Sequence, residues 1–253
     1  MRYFYIVLFI LSVHVAQAQK LQVGPVGSVF LAQPVFDNVE IAENNRGIWA
    51  PGGGIGISTN FIANDVFSLS TELLYYHQRK SVEGNDGVTF FQETHDFIKL
   101  PISFQYAHPV GYSKVHVFVG PVANYWISGR GEALVPELVE DDLEGALRYV
   151  IAYDGIPKND RFVVSDPNRW QLGIQIGAGA TFPVQQNHLK VDARFEWGHT
   201  NMARPGSTYS PFVFYDISLD HTFHTFSLSC AYLFSFDLFK ITHKGKSTNK
   251  KNH

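Results

Sequence analysis

The segment Gln171–Phe182 has the sequence QLGIQIGAGATF and alternates between two kinds of side chain. Leu172, Ile174, Ile176, Ala178, Ala180 and Phe182 form an apolar face, and Gln171, Gly173, Gln175, Gly177, Gly179 and Thr181 form a small or polar one. A period of two indicates a β-strand, because successive side chains of a strand point to opposite faces. The segment is longer than the roughly five or six residues of an ordinary strand and long enough for a tilted strand to cross a membrane.

Seven further segments show the same alternation on either side of this strand. They are Leu21–Leu31, Ile48–Ser58, Phe67–Tyr75, Ile98–Tyr106, Val115–Ile127, Leu189–Trp197 and Thr225–Phe236. Several apolar faces end in aromatic residues, as membrane-interface girdles do; these are Tyr75, Tyr106, Tyr125, Trp126, Phe182, Trp197 and Phe234. Alternation alone would also fit a soluble β-sandwich, but the strand lengths and the aromatic ends favour a membrane protein.

The connections between these strands alternate in length. The long ones are 32–47, 80–91, 128–168 and 199–221, and the short ones are 59–65, 107–114 and 183–188. Short periplasmic turns alternating with long outer loops are typical of outer-membrane barrels. Since lipid offers no partner for backbone N–H and C=O groups, such a sheet must close on itself. We therefore predict an all-β fold, an eight-stranded antiparallel transmembrane β-barrel with a long extracellular loop between strands 5 and 6.

Both ends of the chain lie outside the predicted barrel. Arg2 precedes an apolar run too short to span a bilayer, and Ala16-Gln17-Ala18 supplies the small residues of a cleavage site. We predict a signal peptide at 1–18, a barrel at 19–236 and a basic periplasmic tail at 237–253, with both termini in the periplasm of an outer-membrane protein. The alternative for the first segment is a short membrane anchor, and the tail is either solvated or attracted to acidic headgroups or an acidic partner.

Composition excludes several classes of function. The net charge of −3 gives no reason to expect nucleic-acid binding. The single cysteine, Cys230, excludes a disulfide framework and a cysteine zinc site. We expect no cofactor, no metal and no small-molecule substrate. The expected contacts are outer-membrane lipid and lipopolysaccharide, and other envelope proteins.

The polar faces of the strands are predicted to line the barrel interior. With eight strands, that interior is just filled by side chains, so an open pore is not expected. Five charged residues would project into it: Glu72, Lys99, Asp192, Arg194 and Glu196. Isolated charges there would be costly, so we predict that they pair in a lumen charge network, as a structural feature rather than a proton or ion path.

Several motifs resemble those of one family. The run His95-Asp96-Phe97-Ile98-Lys99-Leu100-Pro101-Ile102, the segments 119–125 and 172–179, and the run 194–201 follow one another in this order. Together they resemble the PorT-like family of outer-membrane β-barrel proteins of Bacteroidota. The resemblance implies a role in an envelope assembly, since the namesake serves the type IX secretion system. One departure is that 17 residues follow the closing aromatic residue Phe236.

Two further motifs have functional and structural interpretations. The run Gly52-Gly53-Gly54-Ile55-Gly56 lacks the Lys-Ser/Thr and the helix of a phosphate loop, so we expect small residues that bend a strand or make room in the lumen. Histidines near the loop rim, including His95, His199, His221 and His224, could serve a hydrolase, with Ser210 and Asp216 completing a nucleophilic set. Residue types alone are weak evidence, so we predict that the protein is not an enzyme.

The connection 128–168 is too long for a simple link. Pro136 could open a helix in which Val139, Leu143 and Leu147 form one apolar stripe. The interpretations are a solvated lid, a partner-docking loop and, far less supported, a calcium site.

The leading functional hypothesis is a non-enzymatic subunit of an envelope assembly, in protein secretion of the type IX kind or in outer-membrane protein biogenesis. The alternatives are a stand-alone binding or adhesion barrel and a rim hydrolase.

Overall fold

The computed structural model describes residues 20–134, 147–152, 161–163, 168–202 and 221–237. Within these ranges the chain forms eleven strands and one short helix. In chain order they are β1 (Lys20–Phe36), α1 (Val39–Asn44), β2 (Asn45–Ile48), β3 (Ala50–Ile62), β4 (Phe67–Gly84), β5 (Phe90–Val110), β6 (Ser113–Leu134), β7 (Leu147–Ala152), β8 (Arg161–Val163), β9 (Trp170–Val184), β10 (Asn187–Gly198) and β11 (His221–Asp237). No helix in the described ranges has the length and apolarity needed to cross a membrane.

Eight of the strands form a closed ring. The order around the ring is β1, β3, β4, β5, β6, β9, β10 and β11, and every neighbouring pair is antiparallel. The first and last strands close it, in register from Lys20 opposite Asp237 to Phe36 opposite His221. The predicted eight-stranded antiparallel barrel is therefore confirmed. Connections 63–66, 111–112 and 185–186 lie at one end, called here the turn end, and the opposite end is the loop end.

Apolar side chains on the outside of the ring form an exposed belt. On β9 the outward residues Leu172, Ile174 and Ile176 are each about half exposed, whereas Gln171 and Gln175 are buried inside. At a rise of about 3.3 Å per residue and a tilt near 40°, the stretch from Trp170 to Phe182 spans about 30 Å, the thickness of a bilayer core. A belt of this height and apolarity is suited to lipid rather than water.

Three strands continue well past this belt at the loop end. β4 runs to Gly84, β5 begins at Phe90 and β6 runs to Leu134, so each extends about 20 Å beyond the girdle. The predicted long loop 80–91 is therefore wrong, because the hairpin β4–β5 stays paired until only residues 85–89 connect it. Asp86 closes this turn by accepting hydrogen bonds from the backbone of Val88 and from Thr89. The Thr89 hydroxyl is the main donor that lowers the pKa of Asp86.

One extra residue changes the phase of β6. Phe97 lies opposite Trp126 but Asp96 lies opposite Ser128, which leaves Ile127 as a bulge. Before the bulge the even-numbered side chains of β6 point inward, and after it they point outward. The sequence pattern loses its alternation at this residue, which is why the predicted strand ends at Ile127.

The connection after β6 begins as a hairpin. β7 pairs antiparallel with the extended part of β6, with Leu147 opposite Ala133 and Ile151 opposite Gly129. The predicted helical stripe therefore cannot include Leu147, because this residue starts a strand. Val139 and Leu143 lie outside the described residues, as do the predicted signal peptide at 1–18 and all but the first residue of the predicted tail at 237–253.

Candidate functional site

The centre of the barrel is crossed by an ion pair between opposite strands. Arg194 on β10 donates from Nη1 and Nη2 to the two carboxylate oxygens of Glu72 on β4, at 2.9 and 3.0 Å. Nη2 also donates to the hydroxyl of Ser229 at 2.9 Å. Both charged side chains are at least 95% shielded from solvent. Two parallel charge-assisted bonds of this kind fix the distance between the two walls.

Asp192 connects this pair to a second group nearer the turn end. Its carboxylate lies 2.7 Å from Nε2 of His116 and 3.1 Å from Nζ of Lys190, and 3.6 Å from Nη2 of Arg194. Lys190 also donates across the barrel to the hydroxyl of Ser70 at 3.3 Å. A single buried carboxylate thus faces three potential cations, which compensates for its removal from water.

Lys99 and Glu196 form the next group toward the loop end. The Lys99 ammonium donates to Oε2 of Glu196, and Asn124 donates to Oε1 at 3.1 Å. Nζ of Lys99 also lies 4.6 Å from the ring centre of Tyr76, which in turn stacks on Phe30 at 4.5 Å. The cation is therefore held by a carboxylate on one side and by an aromatic face on another.

All five residues of the predicted charge network point into the interior, and the structure joins them in two groups. Glu72, Arg194 and Asp192 belong to one, and Lys99 and Glu196 belong to the other. Sequence reasoning did not include Lys190 or His116 in the charge network. The available signal for His116 is its position between Val115 and Val117 in an alternating strand.

Side chains occupy the cross-section at these levels. Voids of about 20 and 70 Å³ lie in the interior, the first beside Glu196 and the second beside His116. Spaces of this size hold at most a few water molecules and do not resemble the lumen of a wide channel. The glycines of β3 leave room for the aromatic rings that fill the interior. A Cβ on Gly54 would meet the ring of Tyr76 at 2.2 Å, and one on Gly52 would meet the ring of Phe30 at 2.3 Å.

A third buried charged group closes the interior at the loop end. Nζ of Lys80 lies 3.1 Å from Oε2 of Glu93, and Nε2 of His95 lies 2.8 Å from the same oxygen. None of the three side chains is exposed to solvent. The His95 ring lies 5.0 Å from that of Trp126, the largest of the fully buried side chains. Polar and aromatic groups together thus cap the column of ion pairs.

The structure describes only part of the histidine arrangement considered for catalysis. His95 points into the barrel whereas Asp96 points outward, so these neighbours cannot act as a pair. Asp96 instead lies 2.8 Å from Nδ1 of His77, a contact that sequence reasoning missed. His221 is fully buried, and Ser210 and Asp216 lie outside the described residues. In the ranges that the structure describes, no group of three or more metal-ligating side chains occurs.

Comparisons with known proteins give a family and several structural likenesses. The model of the family described as "Outer membrane protein beta-barrel domain" matches residues 16–204. No curated protein matches the sequence. The structure of Ail, the attachment invasion locus protein of Yersinia pestis, is similar with 10% identity, covering 84% of this chain and 98% of that chain at a TM-score of 0.39.

Two other solved structures illustrate the range of similar barrels. A major outer membrane protein from Thermus thermophilus has 12% identity, with 84% of this chain and 99% of that chain covered at a TM-score of 0.43. The outer membrane protease OmpT from Escherichia coli has 8% identity, with 87% and 97% covered at a TM-score of 0.39. The family match extends from the start of β1 past the end of β10 and so includes seven of the eight ring strands. The chain belongs to the outer membrane protein beta-barrel domain family.

Proposed function

We propose that this protein is a non-enzymatic membrane anchor that docks another envelope protein at its loop end. The observation that carries the proposal is the division of the molecule into a filled barrel and a paired extension of β4, β5 and β6 beyond the belt. A filled interior is unsuited to transport, so the useful surfaces are those outside the membrane. Paired strands that continue about 20 Å into water can hold a docking segment at a fixed height.

The segment proposed for docking is the connection 135–146 between β6 and β7. Val139 and Leu143 are apolar residues of this connection and are surrounded in sequence by Glu137, Glu140, Asp141, Asp142 and Glu144. Apolar residues of a connection outside the membrane are useful there only when another surface covers them. The start of β7 at Leu147 fixes one end of the segment to the extended sheet.

The setting we infer is an accessory subunit of an envelope assembly, for protein secretion of the type IX kind or for outer-membrane protein biogenesis. Support comes from the ordered motifs at 95–102, 119–125, 172–179 and 194–201, which resemble the PorT-like barrels of Bacteroidota. The inferred orientation places both termini and the turn end in the periplasm and the loop end outside, because an even number of strands returns the chain to its starting side. A signal peptide cleaved after Ala18 fits this route, and N-terminal sequencing that yields Gln19 would test it.

The test combines a point variant with cross-linking in intact cells. Leu143→Asp is expected to abolish a cross-link formed from a photoreactive residue at position 139, while the barrel stays inserted. The matched control is Glu140→Gln in the same connection, which is expected to keep the cross-link. An unchanged cross-linking pattern in the Leu143→Asp protein would contradict the docking role of this connection.

A stand-alone adhesion barrel is the second candidate function, favoured by the same extension. Beside the extended strands, Trp49 in the link between β2 and β3 is 42% exposed. The two candidates differ in the compartment of the partner. Cross-linked products composed only of proteins from outside the cell would favour adhesion, whereas a product containing a cell-envelope protein supports the subunit role.

A further inference from the structure

The outer face of the loop-end extension carries two arginines on one cross-strand row. Arg79 on β4 lies opposite Thr94 on β5, and Thr94 lies opposite Arg130 on β6. Both arginines are exposed and point away from the barrel axis, and Arg130 does so because the bulge at Ile127 has reversed the phase of β6. With strands about 4.8 Å apart, the two arginines stand about 10 Å apart at their Cα atoms. Their side chains are long enough to converge on one anion above Thr94.

The acidic residues around this row are already engaged. No ion pair joins Arg79 or Arg130 to any other described residue. The nearest carboxylate toward the belt is that of Asp96, which accepts hydrogen bonds from Tyr75, His77 and Ser128. Glu132, one row further out, lies 3.6 Å from Arg148. Neither arginine of the row is therefore paired with a carboxylate of the described residues.

A depression of about 750 Å³ lies over this row. Its sides are formed by Trp49, in the link between β2 and β3, and by Val150 of β7. Lys80 and Glu93, which also line it, neutralise each other as a buried pair. A space of this size accommodates a phosphorylated sugar or a comparable headgroup.

The height of the row along the barrel indicates which anion can reach it. Arg79 is four residues beyond Tyr75, which lies at the edge of the apolar belt, and this separation corresponds to about 10 Å along the membrane normal. The headgroup region of one leaflet extends roughly 5–8 Å past the hydrocarbon core, so long arginine side chains directed back toward the membrane reach it. Below the row, Leu73 and Leu100 offer exposed apolar surface to acyl chains.

We propose that Arg79, Thr94 and Arg130 form a binding site for the phosphate group of a membrane-lipid headgroup whose acyl chains lie on the belt beneath. Arginine suits this ligand because the planar guanidinium donates two parallel hydrogen bonds to phosphate oxygens. The Thr94 hydroxyl between the arginines supplies a neutral donor. With the loop end outside, as in the proposed orientation, the lipid is the phosphorylated lipid A part of lipopolysaccharide.

The test uses the mature full-length protein in detergent micelles and native mass spectrometry. Diphosphoryl lipid A, the same lipid after removal of its phosphates, and inorganic phosphate are titrated separately. The variant is Arg79→Gln/Arg130→Gln. The matched control is Lys20→Gln/Lys114→Gln, which removes two charges at the turn end; Lys20 is exposed, and Lys114 is half-buried and lies 3.7 Å from Asp65.

Wild type and control are expected to bind diphosphoryl lipid A equally, and the arginine variant is expected to bind it at least roughly tenfold more weakly. Dephosphorylated lipid is expected to bind all three proteins with the same weak affinity. Equal affinity of the arginine variant and wild type for diphosphoryl lipid A would overturn the site. If inorganic phosphate bound as tightly as diphosphoryl lipid A, the proposal that the phosphate belongs to a lipid would be overturned. Undiminished binding of the dephosphorylated lipid would overturn the proposal that the site recognises a lipid phosphate. A folded barrel is verified for each variant by its heat-dependent shift in gel mobility.

Discussion

Arg194 and Glu72 face each other from opposite walls of the barrel, and the guanidinium donates to both carboxylate oxygens at 2.9 and 3.0 Å. β10 and β4 are four places apart in a ring of eight, so this pair joins the two most distant strands. Removing one partner leaves the other as a buried charge without its opposite charge, which is destabilising. Replacing both partners with apolar groups of similar size leaves no buried charge.

We expect Glu72→Leu to lower the free energy of unfolding by about 3 kcal/mol, because Arg194 then keeps the Ser229 hydroxyl and, as a negative charge, the more distant Asp192. The double variant Glu72→Leu/Arg194→Met is expected to lie within about 1 kcal/mol of wild type, since it removes both charges together. Urea unfolding of the protein in phospholipid vesicles measures both values. A loss in the double variant equal to the sum of the losses in the single variants Glu72→Leu and Arg194→Met would show that the two residues are not energetically coupled.

The filled interior predicts that the purified protein forms no stable channel. The groups around Asp192, Glu72 and Glu196 stack along the axis, and Lys80, Glu93 and His95 close the loop end. Planar-bilayer recordings are expected to show no lasting conductance, with a wide porin measured under the same conditions as the control. Reproducible conductance steps of nanosiemens size would contradict the packed interior.

The lipid-facing belt predicts that the loss of unfolding free energy caused by an added arginine depends on the depth of the substituted residue in the membrane. Ile174→Arg places a charge near the middle of the belt and is expected to cost about 2–4 kcal/mol of unfolding free energy. Val184→Arg, on the same face of β9 but next to the turn end, is expected to cost about 0–1 kcal/mol. Vesicle unfolding titrations compare the two variants. The assigned position of the belt would be wrong if the two costs were equal.

Two glycines predict opposite results when a side chain is added: a steric clash at Gly54 of β3 and no clash at Gly27 of β1. Gly54→Val would drive a side chain into the ring of Tyr76, which disturbs its stacking on Phe30 and is expected to cost about 1–3 kcal/mol. Gly27→Val adds a side chain on the outer face, where no atom lies within 4 Å of the new Cβ. Unfolding titrations are expected to find the Gly27 variant at least as stable as wild type. A Gly54 variant of unchanged stability would show that the interior tolerates the added volume.

The hydrogen bonds of Asp86 predict a pH-dependent turn between β4 and β5. The pKa of Asp86 is lowered by its bonds with Thr89 and Val88, below the ordinary value of 3.8. A lowered pKa in the folded state means that the ionised carboxylate stabilises the turn above pH 3.8 and that this contribution disappears as pH falls through the folded pKa. NMR titration of the Val88 and Thr89 amide protons is expected to give a midpoint below 3.8. Asp86→Asn is the control without a titration, and a wild-type midpoint at or above 3.8 would refute the assignment.

The part of the fold that the sequence predicts is the part exposed to lipid. Alternation is strict where one face meets hydrocarbon, as from Leu172 to Phe182, because a single misplaced polar group there is expensive. Beyond the girdle both faces of a strand can be polar, as at the inward Gln78 and the outward Arg79, so pairing continues without a hydrophobic signal. For this reason the ends of β4, β5 and β6 could not be placed from the sequence.

The sequence predicts which charged residues point into the interior, but it does not predict which of them pair with each other. A charge on the polar face of a membrane strand must point inward, which applies equally to Glu72, Lys99 and Arg194. Which charge meets which depends on the stagger of strands that are distant in sequence, and alternation carries no information about stagger. His77 and Asp96 illustrate the same limit on the outer face, since their contact follows from the β4–β5 register alone.

The bulge at Ile127 absorbs one residue of β6 while the pairing with β5 continues on either side of it. Seven residues follow it, and their two faces are assigned by the presence of that one unpaired residue. The same residues paired in regular alternation, with Ile127 as an ordinary strand residue, would turn Gly129 and Gly131 toward the surroundings and Arg130 toward the axis. A chain that lost Ile127 would instead lose only the unpaired residue, because Ser128 would then follow Trp126 in regular alternation and keep its place opposite Asp96. A deletion of Ile127 therefore preserves both faces of the extension, whereas a deletion elsewhere among the seven residues moves those beyond it to the opposite face.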